Sequence, residues 1–150
     1  MTRAEAWFTH TSALMVGATG LVYGWMRYFA EATEEFSIVN HPWQPQFHAL
    51  HVLFAPLLVF GCGLFWSGHV WKRVRSGYPA RRKTGLVLFG LFSLMVVSGY
   101  LVQTAVDETW KLVWVWSHGV SSTVWIGVYA LHQLLSPRNK QAGSPERTGA

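Results

Sequence analysis

Charged residues leave long gaps along the chain. No Asp, Glu, Lys or Arg occurs at 6–26, 36–71, 84–106 or 112–137, runs of 21, 36, 23 and 26 residues in a chain of 150. About 20 predominantly apolar residues carry a helix across the ~30 Å hydrocarbon layer, whereas an apolar run of about 10–14 reads as a soluble core helix. The pattern predicts an all-α integral membrane four-helix bundle, with helices at about 7–29, 46–71, 84–106 and 111–135. Residues 1–135 are expected to form one transmembrane domain. Residues 136–150, rich in Pro, Gly, Ser and charge, read as a polar cytoplasmic tail. Thr, Ser, Gly and His inside the spans hold the mean hydropathy to +0.21 without adding charge.

Composition agrees with the pattern. The hydrophobic fraction, 51%, is close to that of a soluble protein, but the charged fraction of 13% is about half the usual ~25%. The basic residues gather on one side. Lys72, Arg73, Arg75, Arg81, Arg82 and Lys83 fill the loop between the second and third spans, and Arg138, Lys140 and Arg147 lie in the tail. The opposite side carries Glu31, Glu34, Glu35, Asp107 and Glu108, with Arg27 and Lys111 near them. The positive-inside rule then predicts cytoplasmic termini and a cytoplasmic 72–83 loop, with 30–45 and 107–110 facing out. Such a chain is multi-pass in a bacterial-type inner membrane. Trp7, Trp43, Trp71 and Trp110 fall near the interfaces as an aromatic belt. The net charge of +5 is thus a topology signal, and no nucleic-acid partner is needed to explain it.

Two features narrow the chemistry. Arg3, an apolar stretch and Ala30-Glu31-Ala32 loosely resemble a signal peptide, but Arg27 interrupts the approach to the small-residue site. The single cysteine, Cys62, excludes an internal disulfide, a CxxC motif and covalent haem attachment through CxxCH, and reads as a small buried thiol.

Seven histidines remain: His10, His41, His48, His51, His69, His118 and His132. All but His41 fall in or at the edge of a span, where ionisable side chains are costly and usually serve a relay, a path or a cofactor. For any one of them an inter-helix hydrogen bond is an equally good reading. Spacing separates the two. His118 and His132 are fourteen residues apart, so they share a face within ~40° and stand ~21 Å apart along one helix. That suits two haems stacked across a bilayer, each held by an imidazole of this helix and one from a neighbour. A zinc site needs its ligands within ~2 Å of one ion, and a proton path would mix in carboxylates that the spans lack.

Depth suggests the partners. His51 on the second span lies as far inside the outer boundary as His118 does, which pairs His51 with His118. His10 sits about one turn inside the cytoplasmic boundary, level with His132, which pairs those two. His69 is the rival of His10: it follows His51 by eighteen residues, five turns of α-helix and ~27 Å. His48, one turn from His51, is the alternate to His51. Gly17 and Gly24 lie seven and fourteen residues after His10 and leave a bare face, which fits either a flat macrocycle or close helix packing. Arg27 is placed to pair with a haem propionate or to snorkel to the headgroups. The first and second pairs of spans share a faint Gly-then-His pattern, a hint of duplication.

Several short elements are similar to a known family. A histidine near the start of the first span followed by Thr19-Gly20, His51-Val52-Leu53-Phe54-Ala55 in the second, Ser98-Gly99-Tyr100 in the third, and His118 with His132 in the fourth resemble the membrane-bound di-haem cytochrome b subunits of formate dehydrogenases and nickel-iron hydrogenases. The resemblance covers about residues 7–135. It implies His10, His51, His118 and His132 as axial ligands of two non-covalent b-type haems, with transfer of electrons between a quinone pool and a redox partner protein on the outer face. His10 is followed here by Thr11 where that family has Trp, which keeps His69 open. Tyr100 and Gln103 are candidates for a quinone contact. Two other classes fit the same composition: a haem-free anchor or assembly subunit, and a small histidine-dependent metal or proton transporter.

Overall fold

The computed structural model describes residues 2–32, 37–75 and 82–134. Glu34, Glu35, Arg81 and the whole tail with Arg138, Lys140 and Arg147 lie outside the described residues, as do the side chains of His69, Arg73 and Arg82. The described chain is all-helical: α1 (Arg3–Tyr28), α2 (Gln44–Phe65), a π-helical turn (Trp66–Trp71), a short α3 (Lys72–Arg75), α4 (Arg82–Thr104) and α5 (Glu108–Leu134).

Local chemistry sets the boundaries. A capping box opens α1: the Glu5 amide donates to Thr2 Oγ1 at 3.2 Å, and the Thr2 amide donates to Glu5 Oε2 at 2.9 Å, which satisfies two otherwise unpaired donors. At its other end the Phe29 and Ala30 amides both fold back onto the Trp25 carbonyl. Pro45 stands in the first turn of α2, where its missing N–H removes no ladder bond. Asp107 caps α5, its Oδ1 accepting from the Trp110 amide at 2.9 Å.

Contacts pair the four long helices into two antiparallel hairpins. Phe60 of α2 packs edge-on against Phe8 near the start of α1, while His48 of α2 lies against Tyr23 near its end. In the second hairpin, Thr84 of α4 meets His132 of α5, Phe92 meets Trp125, and Met95 meets His118. The short 105–107 connection leaves α5 no other course than back along α4. The hairpins touch each other through side chains. Ile126 of α5 lies 3.7 Å from where a Cβ on Gly17 of α1 would stand, and Trp66 packs on Phe89.

The buried core is small and sits between the hairpins: Ala13, Val16, Leu58, Met95 and Trp125, flanked by Phe54, Cys62, Phe92 and Tyr129. Most large apolar side chains point away from it, among them Leu14, Leu53, Phe60, Val97, Trp116 and Leu131. Two helices, Gln44–Phe65 and Lys83–Thr104, are long and apolar enough to cross a membrane. α1 and α5 have the length, but polar residues dilute them, and several of those residues face inward: Thr9, Ser12, Thr19 and Ser121 are buried.

The second span is not one regular helix. Its last part, Trp66–Trp71, is a π-helical turn, in which each residue advances through less than the ~100° of an α-helix. The five-turn count that aligned His69 with His51 assumes an unbroken α-helix, so the π turn offsets the His69 backbone from that face.

Candidate functional site

At the level where the two hairpins meet, each contributes one imidazole. His51 of α2 and His118 of α5 face each other with ring centres 6.1 Å apart and planes at 74°. Each ring is anchored in its own hairpin. His51 Nδ1 donates to the Val16 carbonyl of α1 at 3.1 Å, and His118 Nδ1 donates to the Met95 carbonyl of α4 at 2.9 Å. A carbonyl oxygen only accepts, so both Nδ1 atoms carry the proton and both Nε2 atoms keep a lone pair. Neither Nε2 has a hydrogen-bond partner among the described residues.

A glycine admits each ring. A Cβ on Gly20 would stand 2.7 Å from His51 Cε1, and one on Gly99 would stand 3.1 Å from His118 Cε1. Both glycines come four residues after the accepting carbonyl, so the imidazole reaches that oxygen across a bare stretch of helix. Each is preceded by a buried hydroxyl residue, Thr19 and Ser98, the latter fully buried. Val16-x-x-Thr19-Gly20 with His51 and Met95-x-x-Ser98-Gly99 with His118 are thus the same device built twice.

The arrangement can be tested against a metal. An imidazole nitrogen stands ~2.0 Å from a metal it ligates, and two such bonds plus two ring radii of ~1.1 Å span about 6 Å. Among the described residues no three or more His, Cys, Asp or Glu side chains converge on one point. Two imidazoles with fixed tautomers and ring centres at that separation are a donor set that would fit a haem iron, whose remaining positions a macrocycle fills.

The other histidines are placed differently. His10 Nδ1 is hydrogen-bonded to the Tyr129 hydroxyl, one turn before His132 on α5. His132 Nδ1 lies 2.9 Å from Thr84 Oγ1. Hydroxyls both donate and accept, so these partners do not fix the tautomer as the carbonyls do. The backbone carrying His69 is in the π turn. His48 is exposed, its ring tilted against Tyr23 with centres 4.9 Å apart. His41 lies in the connection before α2, its Nδ1 accepting from the Trp43 amide and its ring near Trp25.

The remaining candidates are also located. Gly17 has ordinary contact distance to Ile126, and Gly24 has open space where a Cβ would be. Arg27 is exposed in the last turn of α1, ~10 Å beyond Gly20 along the helix. Tyr100 and Gln103 are exposed on α4, with Gln103 Nε2 donating to the Gly99 carbonyl. Cys62 is a free, half-buried thiol against the core. Sequence reasoning quoted Gly20 and Gly99 only as parts of short motifs and missed that they seat the rings. The chain matches no protein-family model, no curated protein and no solved structure.

Proposed function

We propose that the chain is a b-type cytochrome subunit of a membrane, carrying electrons through haem held by one imidazole from each helical hairpin. The observation that supports this reading is the duplicated seat, in which His51 and His118 face each other with both Nε2 lone pairs unengaged. Bound haem would supply a reversible one-electron couple. His51 and His118 would hold the group, each ring fixed through the Val16 or Met95 carbonyl, beside an apolar core that includes Val16 and Met95 themselves.

The finer features extend the same reading. His132, ~21 Å from His118 along the unbroken α5, would hold a second haem with His10 or with His69. The four long helices form a bundle with both termini cytoplasmic, in a bacterial-type inner membrane. The Glu31 and Trp43 side would meet a redox partner subunit, and Tyr100 and Gln103 are the candidates for a quinone contact. On this reading the chain is an electron-transfer subunit of a larger oxidoreductase, with the histidines serving to hold haem.

The test is haem content and a reduced-minus-oxidised spectrum of the full chain purified in detergent from haem-replete cells. A b-type α-band with up to two haems per chain is expected. Absence of the band rejects the reading in favour of a haem-free anchor.

A further inference from the structure

The two carbonyls that fix the histidines are crowded. In the α1 ladder the Val16 oxygen accepts from the Gly20 amide. It also lies 3.2 Å from the donating hydroxyl of Thr19 and 3.1 Å from His51 Nδ1. The Met95 oxygen likewise serves the Gly99 amide, the Ser98 hydroxyl at 3.1 Å and His118 Nδ1 at 2.9 Å. A carbonyl has two lone pairs, and here they meet two N–H donors and the weaker arm of a three-centre bond from the hydroxyl's single proton. Both hydroxyls are also held 2.7 Å from the preceding carbonyl, Met15 for Thr19 and Leu94 for Ser98. Each is therefore locked in place beside the oxygen it shares.

We infer that Thr19 and Ser98 are positioning residues that set the donor strength of the two imidazoles by competing for the carbonyls those imidazoles use. The iron part of this inference rests on the haem reading above. A strong hydrogen bond from Nδ1–H makes an imidazole a more basic ligand at Nε2. By occupying part of the acceptor, each hydroxyl weakens that bond and keeps its imidazole closer to neutral, which disfavours the ferric state. Both hairpins carry a hydroxyl three residues after the carbonyl, and in the second hairpin Ser98 Oγ also lies 3.5 Å from His118 Nδ1 itself. Were both imidazoles to hold one iron, the two effects on it would have the same sign.

The experiment uses the full chain with ¹⁵N-labelled histidine, read with and without haem. The variants are Thr19→Val and Ser98→Ala, with Thr19→Ser keeping the hydroxyl. Ser93→Ala and Ser117→Ala are controls, whose hydroxyls bond, among the described residues, only the Phe89 and Val113 carbonyls. Without haem, the ring N–H proton of His51 in Thr19→Val, and of His118 in Ser98→Ala, is expected to move downfield, with no such movement in the controls or in Thr19→Ser. With haem, the ferric-to-ferrous ratio at a fixed ambient potential is expected to rise about three- to tenfold per hydroxyl removed. Tenfold corresponds to a midpoint about 59 mV more negative for one electron.

Unmoved N–H resonances overturn the inference, and so does a Thr19→Ser response as large as that of Thr19→Val, which would assign the effect to packing. A wild-type chain that binds no haem overturns the haem reading alone, and the haem-free N–H resonances then decide this inference by themselves.

Discussion

A side chain reaches a carbonyl inside a neighbouring helix only where that helix is bare, and Gly20 and Gly99 provide the two bare places. Adding one methyl there displaces the ring. Gly20→Ala is expected to cost about 1–3 kcal/mol in detergent unfolding, and more than Gly99→Ala, because its Cβ would come closer to the imidazole. Gly24→Ala gives the opposite sign. Its Cβ meets open space in the last part of α1, so a gain of up to about 0.5–1 kcal/mol is expected from the lost chain entropy. A second residue-scale expectation concerns Trp125, whose buried indole N–H has no partner among the described residues. Trp125→Phe removes that unpaired donor while giving up some packing. It should therefore unfold within about 1 kcal/mol of the wild type, against about 3–5 for Trp125→Ala.

The nearness of His51 to His118 was legible, because depth in an uncharged run brings those two level, whereas His10 meets Tyr129 and His132 meets Thr84. The seats were not. Gly17 and Gly24 lie along the His10 face of the first helix, whereas the glycines that approach histidines, Gly20 and Gly99, face rings on other helices. The repeated hydroxyl-glycine pairs, Thr19-Gly20 and Ser98-Gly99, were the signal that could have found them.

Helices come out close to the uncharged runs, since charge avoidance and helix length answer to the same apolar environment. α1 and α5 begin a few residues before the expected starts, because capping at Thr2 and at Asp107 decides those ends and hydrophobicity does not. The π turn was invisible: the composition of Trp66–Trp71 is compatible with continued α-helix, and the register shift arises from backbone hydrogen bonding. The pairing into hairpins predicts how the site divides, because His51 and His118 come from different halves. Residues 1–75 and 82–150, expressed together as separate chains, should reassemble and bind haem. Either half alone should show no bis-histidine spectrum, and haem bound by one half alone would refute the two-hairpin site.

For the molecule as a whole, outward-facing Leu, Val, Phe and Trp require a cover, and lipid is the cover proposed for them. The predicted orientation is open to direct measurement. In a Cys62→Ser background, Ser37→Cys should react with a membrane-impermeant maleimide from outside the cell and Ser144→Cys only after permeabilisation. The reverse labelling would invert the orientation. Sequence charge could give a sidedness, since loops meet water on one side or the other. It could not give the meeting of the hairpins, which depends on side chains such as Ile126 opposite Gly17.

One imidazole from each hairpin is proposed to hold the same iron. Low-spin ferric haem with two imidazole ligands has a distinct electron paramagnetic resonance spectrum, and its signals can be counted against protein in the wild type and in His51→Ala, His118→Ala and His48→Ala. Loss of one and the same signal in His51→Ala and His118→Ala, with that signal intact in His48→Ala, is the predicted result. Retention of every signal in His51→Ala or in His118→Ala would contradict it.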